Sequence, residues 1–305
     1  MARTRLRGLD LAGLRMAVEV PGQLDWRDPE TEAFGADCAP CDPDIYVGVR
    51  VGQAVGPLGE TTLYASGRQT FEIGRDGSDW LISIHGRSPH ERVARFDADF
   101  REGEVIVAPD HAAHLLAAGG SPVAHPLDEL LVLHRILRSG GLVLRGSLIE
   151  REGRALVFVG HRCAVAQGPM AQGAAGWRRL DPMRAAGDRV VVRFGERGPQ
   201  VQTLPWTAAG LRVAAQRGDL DAIHLLERAE AVFTEPVLEE EAAGVILANA
   251  FAPVHDSEGA GRSGALAERL ARCVPVVRMG MPAEERIVPF KWGQTEAALA
   301  FAPPL

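Results

Sequence analysis

The feature that most constrains the fold is an apolar run that ends in glycine and is followed by small residues. Residues 153–173 read GRALVFVGHRCAVAQGPMAQG. A continuous apolar run of this length, bounded by glycines, is typical of a buried strand. The pattern therefore predicts a strand that ends at Gly160 and a loop after it, which is the frame of a phosphate-binding loop.

The side chains that let such a loop bind phosphate are missing from this segment. In the motif G-x-x-x-x-G-K-[ST], the second glycine frees backbone N–H groups for the phosphates, the lysine reaches the β and γ oxygens, and the hydroxyl holds Mg²⁺. Counted from Gly160, these positions hold Val165, Ala166 and Gln167, and Lys291 is the only lysine of the chain. Two interpretations remain: a degenerate phosphate loop, or an ordinary strand and turn unrelated to nucleotides.

The segments around Gly160 follow one another in a recognisable order. Upstream lie a helix, a strand, and a turn with a second strand: residues 126–137 (PLDELLVLHRIL), 142–149 (LVLRGSLI) and 150–160 (EREGRALVFVG). Downstream lie residues 180–181 (LD), 189–195 (RVVVRFG), 203–206 (TLPW), 222–229 (AIHLLERA), 235–251 (EPVLEEEAAGVILANAF) and 272–281 (RCVPVVRMGM). Over about residues 70 to 290, this layout resembles the HPr kinase-like family of bacterial P-loop proteins, particularly the HPr-kinase-related proteins encoded beside peptide-modification genes.

The predicted fold class is α+β or α/β, with a β-rich N-terminal region before a mixed sheet with flanking helices. Residues 45–109 contain six short apolar or alternating runs separated by Gly, Asp and Pro, a pattern typical of antiparallel hairpins. Small and helix-breaking residues at 115–125 mark the boundary. We therefore predict a β-rich region at residues 1–120, and the resemblance implies an HPr-kinase-like, P-loop-derived domain at residues 121–305.

The resemblance also implies where a nucleotide site would lie. Its remnant comprises Gly160, Arg162 and Asp181, and Arg145 stands where the family usually has histidine. Phosphoryl transfer depends on positioning and electrostatic stabilisation, so losing the lysine, the metal-binding hydroxyl and one acidic residue removes most of what catalyses it. We therefore expect no catalytic residues and no cofactor.

The predicted function is a non-catalytic scaffold that binds a peptide or protein partner, and the resemblance places it in a peptide-modification pathway. Arginines and aromatic residues dominate binding energy at interfaces. The candidate contact residues are Trp177, Arg178, Arg179, Phe290 and Trp292. The alternative for the tryptophans is a place in the core.

Two other functions stay open. The first is an ATP-dependent serine kinase that uses Mg²⁺ with a non-standard phosphate loop, in which Arg162 and Arg145 hold phosphates and Asp181 acts as the base. The second is a nucleotide sensor that binds without turnover.

Cysteine and histidine spacing predicts no metal site. Cys38 and Cys41 form a C-x-x-C pair in a loop context without a second pair, so a shared role for them stays open. The pairs His85 with His90 and His111 with His114 lack ligand partners at suitable spacing. The acidic residues at 239–241 are expected to begin a helix, where they offset its dipole.

Composition excludes two classes of partner. The net charge of −7 disfavours a nucleic-acid surface, which needs concentrated basic charge. No segment reaches the length of apolar sequence that crosses a bilayer, and charges at Arg15 and Glu19 interrupt any signal-peptide core. We therefore expect a cytoplasmic protein with no membrane partner, while the oligomeric state stays open.

Overall fold

A computed structural model of the protein describes residues 4–22, 35–36, 42–53, 61–66, 69–86, 88–118, 120–151, 153–160, 189–204, 217–231, 233–253 and 255–281. The chain forms two compact units. The first contains Met1–Ser139 together with Pro253–Ser257, and the second contains Gly140–Ala252 together with Glu258–Leu305.

In the described part of the first unit, nine strands form a mixed sheet with the order β3-β1-β2-β4-β9-β8-β7-β6-β5. Its strands are β1 (Thr4–Leu11), β2 (Leu14–Pro21), β3 (Gly35–Ala36), β4 (Ile45–Val51), β5 (Thr61–Ser66), β6 (Gln69–Asp76), β7 (Asp79–His85), β8 (Arg92–Phe96) and β9 (Glu102–Val107). Its helices are α1 (Pro109–Ala118) and α2 (Leu127–Arg138).

Strands β5 to β9 form the antiparallel meander that the sequence pattern predicts. Strand β4 differs from that prediction, because it pairs in parallel with both β2 and β9. Parallel neighbours need a long crossover connection, and here the meander of β5 to β8 itself separates β4 from β9 in the chain. Alternating burial along β4, with Ile45, Val47 and Val49 inside, fits a strand with one face on the core.

The core of this unit joins the sheet to α2. Trp80 and Phe96 of the meander are buried together with Phe100, and nine residues of α2 are buried. Arg92 is also buried, and its guanidinium group donates to three carbonyl oxygens in the turn before α2, those of Pro122, Ala124 and His125. The strand β8 thereby fixes the point at which α2 begins.

Seven strands are formed by the described residues of the second unit, and five of them close into a ring. They are β10 (Gly141–Arg151), β11 (Arg154–Gly160), β12 (Arg189–Gly195), β13 (Gly198–Thr203), β14 (Arg217–Arg228), β15 (Phe233–Pro236) and β16 (Val276–Met281). The order is β11-β10-β12-β13-β14-β16-β15, and a further pairing of β11 with β14 closes the ring. The helices are α3 (Glu239–Ala248) and α4 (Ser257–Cys273).

The described residues form two mixed sheets with flanking helices. This α+β architecture confirms the predicted fold class. Among the described residues, no helix has both the length and the apolar character needed to cross a membrane.

Candidate functional site

Three parallel strands of the second unit end at the same edge of the sheet. Strand β14 pairs in parallel with β11 on one side, with Gly160 opposite Leu226, and with β16 on the other, with Leu226 opposite Met279. The carboxyl ends of parallel strands are where open α/β sheets bind ligands. Gly160, the first residue of the predicted remnant site, therefore lies at an edge suited to binding.

Gly160 is required by the backbone at this edge. Its φ of +101° lies in a region that other residues rarely adopt. A Cβ atom added there would lie 2.6 Å from the carbonyl oxygen of Leu226. The close packing of β11 against β14 thus depends on the absence of a side chain.

Residues 249–251 pair with the part of the β10 edge that lies beyond the end of β11. Val159 is the last residue of β11 that pairs with β10, opposite Gly146. Just beyond that pair, the amide of Arg145 donates to the Asn249 carbonyl at 2.7 Å, and the amide of Phe251 donates to the Val143 carbonyl at 2.9 Å. The segment after α3 therefore runs in line with β11, beside the end of that strand.

This pairing brings Phe251 close to two arginines. Arg145 of β10 and Arg189 of β12 are directly opposite in the register of these antiparallel strands. Each guanidinium carbon lies 5.2 Å from the centre of the Phe251 ring, within the range of cation–π attraction. Arg145 is exposed, whereas Arg189 and Phe251 are half-buried. We call Arg145, Phe251 and Arg189 the arginine–phenylalanine cluster.

A third arginine on this sheet is surrounded by carboxylates. Arg278 of β16 contacts Glu227 of β14 at 3.2 Å and Glu235 of β15 at 3.2 Å, and its third contact is Glu241 of α3 at 2.5 Å. The carboxylates, first Glu227, raise the pKa of Arg278 above its ordinary value. Glu239, Glu240 and Glu241 lie in the first turn of α3, as predicted, and Glu241 also ties that helix to β16.

Strand β14 carries a buried histidine away from the sheet edge. His224 of β14 is fully buried and stacks on Phe158 of β11, with ring centres 5.0 Å apart. Burial lowers the pKa of His224 to about 4. A neutral imidazole at this place behaves as part of the core.

The first unit contains a separate polar cluster of five side chains in a chain of contacts. The hydroxyl of Tyr64 lies 3.0 Å from His255 Nδ1, His255 Nε2 lies 2.9 Å from His134 Nε2, and His134 Nδ1 lies 3.3 Å from the guanidinium group of Arg138. Arg138 in turn donates to the buried Asp256 carboxylate at 3.1 Å. We call these residues the histidine chain.

The contacts of the histidine chain fix the protonation of both rings. Arg138 can only donate, so Nδ1 of His134 accepts and Nε2 of His134 carries the proton. The Nε2–H group of His134 therefore donates a hydrogen bond to Nε2 of His255. The proton of the His255 ring is then on Nδ1, which donates a hydrogen bond to the oxygen of Tyr64. Each imidazole is then neutral with one defined tautomer.

Burial favours the same neutral state. Desolvation lowers the pKa of His134 well below its usual range and lowers the pKa of His255 to about 4. His134 stacks on Phe100, with ring centres 4.1 Å apart, and both imidazoles contact Trp80. The pair is therefore enclosed by aromatic rings that solvate charge poorly.

Most predicted site residues lie outside the described residues. These are Arg162, Trp177, Arg178, Arg179, Asp181, Phe290 and Trp292, together with the loop positions Val165, Ala166 and Gln167. Gly160 is the one member of the predicted remnant site that the structure places. The sequence predicted a phosphate-binding role for Arg145 only in the kinase alternative, and it predicted no role for Arg189 or Phe251.

Residues 235–251 contain the end of a strand, a helix and a short segment that pairs with β10. The structure begins α3 at Glu239 and ends it at Ala248, with Glu235 and Pro236 in strand β15. Asn249 follows the helix, and its side-chain amide donates to the Val245 carbonyl. An apolar helical period cannot show that the residues after α3 pair with β10.

The predicted absence of a metal site stays a prediction for the whole chain. In the part that the structure describes, no group of three or more metal-ligating side chains occurs. His111 lies near Glu91 at 3.5 Å and His85 near Glu72 at 3.7 Å, so both histidines have carboxylate neighbours. Cys38 and Cys41 lie outside the described residues.

Comparisons with known proteins give no assignment. A scan against protein-family models finds no match. A search of curated proteins finds no significant match. The resemblance to HPr kinase-like proteins therefore rests on the layout of the sequence.

Proposed function

We propose that this protein is a non-catalytic, HPr-kinase-like protein of the bacterial cytoplasm that binds a peptide or protein partner. The resemblance suggests that the partner belongs to a peptide-modification pathway. A peptide to be modified, or the enzyme that modifies it, would be held without phosphoryl transfer.

The arginine–phenylalanine cluster carries this proposal. It lies next to the end of β11, where a phosphate loop would begin, and it combines the exposed Arg145 with Arg189 and an aromatic ring. Arginine and aromatic side chains supply a large share of binding energy at protein interfaces. The sequence supports the absence of catalysis, because Val165, Ala166 and Gln167 replace the residues that a phosphate loop uses.

A nucleotide sensor is the second candidate, and one observation favours it. The parallel strands β11, β14 and β16 end together, and Gly160 has the backbone freedom that a phosphate loop needs. A sensor would bind ATP or GTP through backbone groups and arginines instead of lysine.

Calorimetry with ATP and GTP in the presence of Mg²⁺ separates the two candidates. We expect a dissociation constant in the millimolar range or weaker. A micromolar constant, which corresponds to about 8 kcal/mol of binding free energy, would favour the sensor and contradict the scaffold.

Affinity capture from cells that produce the protein tests the scaffold directly. We expect Arg145→Gln to reduce the amount of captured partner at least tenfold relative to the wild type. Arg197→Gln is the matched control, because Arg197 is an exposed arginine in the turn between β12 and β13 of the same unit. Equal capture by both variants would show that the cluster is not the binding surface.

A further inference from the structure

We propose that a groove between α3 and α4 of the second unit binds a basic peptide segment of a partner protein. The groove has a volume of about 570 Å³, which lies in the range of ligand sites in proteins. The lining residues come from the start of α3 and the last two turns of α4: Leu238, Glu239, Glu240, Ala243, Glu268, Ala271 and Arg272. We call this surface the helix groove. It shares no residue with the arginine–phenylalanine cluster and therefore goes beyond the proposed function.

The two helices that form the helix groove are anchored in the fold. Ala242 and Ile246 of α3 are buried, and so are Ala267 and Leu270 of α4. The helix groove is therefore present before a ligand arrives. Because its backbone is already ordered, binding there costs little conformational entropy.

The helix groove offers an apolar contact at Leu238. Leu238 is 72% exposed, the highest value among the large hydrophobic residues that the structure describes. A single exposed leucine is common on protein surfaces, but Leu238 lines the helix groove together with the half-buried Ala243 and Ala271. An aliphatic side chain of a ligand would cover Leu238 and remove apolar surface from water.

The carboxylates of the helix groove differ from those elsewhere on α3 and α4. Glu241 pairs with Arg278, and Glu258 pairs with Arg262. By contrast, no ion pair joins the exposed side chains of Glu239, Glu240 and Glu268 to another residue in the described part of the chain.

The lining of the helix groove is therefore acidic. With three glutamates and one arginine, it has a net charge of −2. Arg272 follows Glu268 by one helical turn, and the structure records no ion pair between these two described side chains. The carboxylates remain available to lysine or arginine side chains of a ligand, with which they would form charge-assisted hydrogen bonds.

Charge and shape together favour a basic peptide. A small cation would be poorly enclosed, because the charged lining residues are exposed, whereas small-molecule sites bury most of their ligand. A peptide can reach both helices, with basic side chains at the carboxylates and an apolar side chain on Leu238. An acidic segment would be repelled, so the electrostatic field also selects the partner.

Fluorescence anisotropy with two dye-labelled peptides tests the ligand class. Leucine alternates with arginine in the first peptide and with glutamate in the second. We expect saturable binding of the arginine peptide that weakens as the salt concentration rises, and no saturable binding of the glutamate peptide. The proposal is wrong if the arginine peptide does not bind, or if both peptides bind equally.

Two variants of equal net charge locate the binding. Glu240→Gln with Glu268→Gln neutralises two carboxylates of the helix groove, while Glu196→Gln with Glu230→Gln neutralises two exposed carboxylates elsewhere in the second unit. The first variant should weaken the affinity for the arginine peptide about fivefold to tenfold, and the second by less than about twofold. Equal losses would mean that overall charge attracts the peptide, which would overturn the proposal.

A third variant tests the apolar contact and a competing occupant. Leu238→Ser should weaken the affinity about fivefold, whereas Leu247→Ser, at an exposed leucine of α3 outside the helix groove, should leave it unchanged. Equal affinities of these two variants would contradict the proposal. So would sedimentation of a wild-type dimer that Leu238→Ser dissociates, because a second copy of the chain would then cover the helix groove.

The outcome is separable from that of partner capture. If the arginine peptide binds in the helix groove while Arg145→Gln leaves capture unchanged, the helix groove stands and the role of the arginine–phenylalanine cluster fails. If the arginine peptide does not bind but Arg145→Gln abolishes capture, the helix groove fails and the proposed function stands.

Discussion

Acidification should destabilise the first unit through the histidine chain. The chain requires His134 and His255 to be neutral, because a second proton on either ring would set one N–H group against another or against Arg138. Arg75 and Arg138 also disfavour positive charge on both rings, whereas Asp256 favours it on His255. Burial outweighs the carboxylate, and both pKa values are lowered.

The sign and size of the effect follow from the lowered pKa values. Between about pH 6.5 and 4 the unfolded chain binds protons that the folded unit does not, so stability is complete above pH 6.5 and falls as the pH drops. For His255, a pKa of about 4 in the fold against 6.5 unfolded gives a loss of roughly 2 kcal/mol between pH 7 and pH 5. Partial exposure of His255 reduces its share to about 1 kcal/mol. The buried His134, whose pKa is lowered well below its usual range, adds to this loss in the same direction, so the pair should contribute more than about 1 kcal/mol.

Hydrogen exchange of α2, measured in urea at pH 7 and at pH 5, reports the stability of the first unit alone. The variant His134→Gln with His255→Gln should lose at least about 1 kcal/mol less than the wild type between these pH values, since the amides do not titrate. His114→Gln, on the exposed side of α1, is the control and should keep the wild-type pH dependence. Identical pH dependence of the double variant and the wild type would refute the argument.

Two further substitutions test the buried backbone contacts. Arg92→Leu should lower the free energy of unfolding by about 3 to 5 kcal/mol, because three carbonyl oxygens lose their buried donor. Arg95→Gln, on the exposed face of β8, is the control and should change the free energy of unfolding little. Similar losses in urea titrations of both would contradict the role given to Arg92. Gly160→Ala should lower the free energy of unfolding by about 2 to 3 kcal/mol, because its Cβ atom would clash with the backbone of Leu226. Gly153→Ala is the control: its φ is +83° but the space around it is open, so the loss should be about 1 kcal/mol. Equal thermal midpoints for the two alanine variants would show that β11 and β14 can move apart without loss of stability.

Much of the secondary structure could be read from local patterns. Residues 189–195 form β12 with the bounds that the apolar run suggests, and the late strand near residue 276 and the acidic start of α3 also follow the sequence. These elements depend on neighbouring residues: alternation or apolar runs for strands, and acidic residues near a helix N-terminus for α3. The parallel placement of β4 has no such local signal, because it depends on which strand lies beside it.

The candidate site, too, was predictable from the sequence only in part. The sequence by itself determined that a buried strand ends at Gly160 and that the residues after it lack lysine and a metal-binding hydroxyl, since both are properties of a short continuous segment. Only the tertiary structure decided that Arg145, Arg189 and Phe251 meet, because strand register and closure of the ring bring together residues far apart in the chain. Likewise, the histidine chain exists because Pro253–Ser257 belongs to the first unit, and packing of that kind depends on the whole fold.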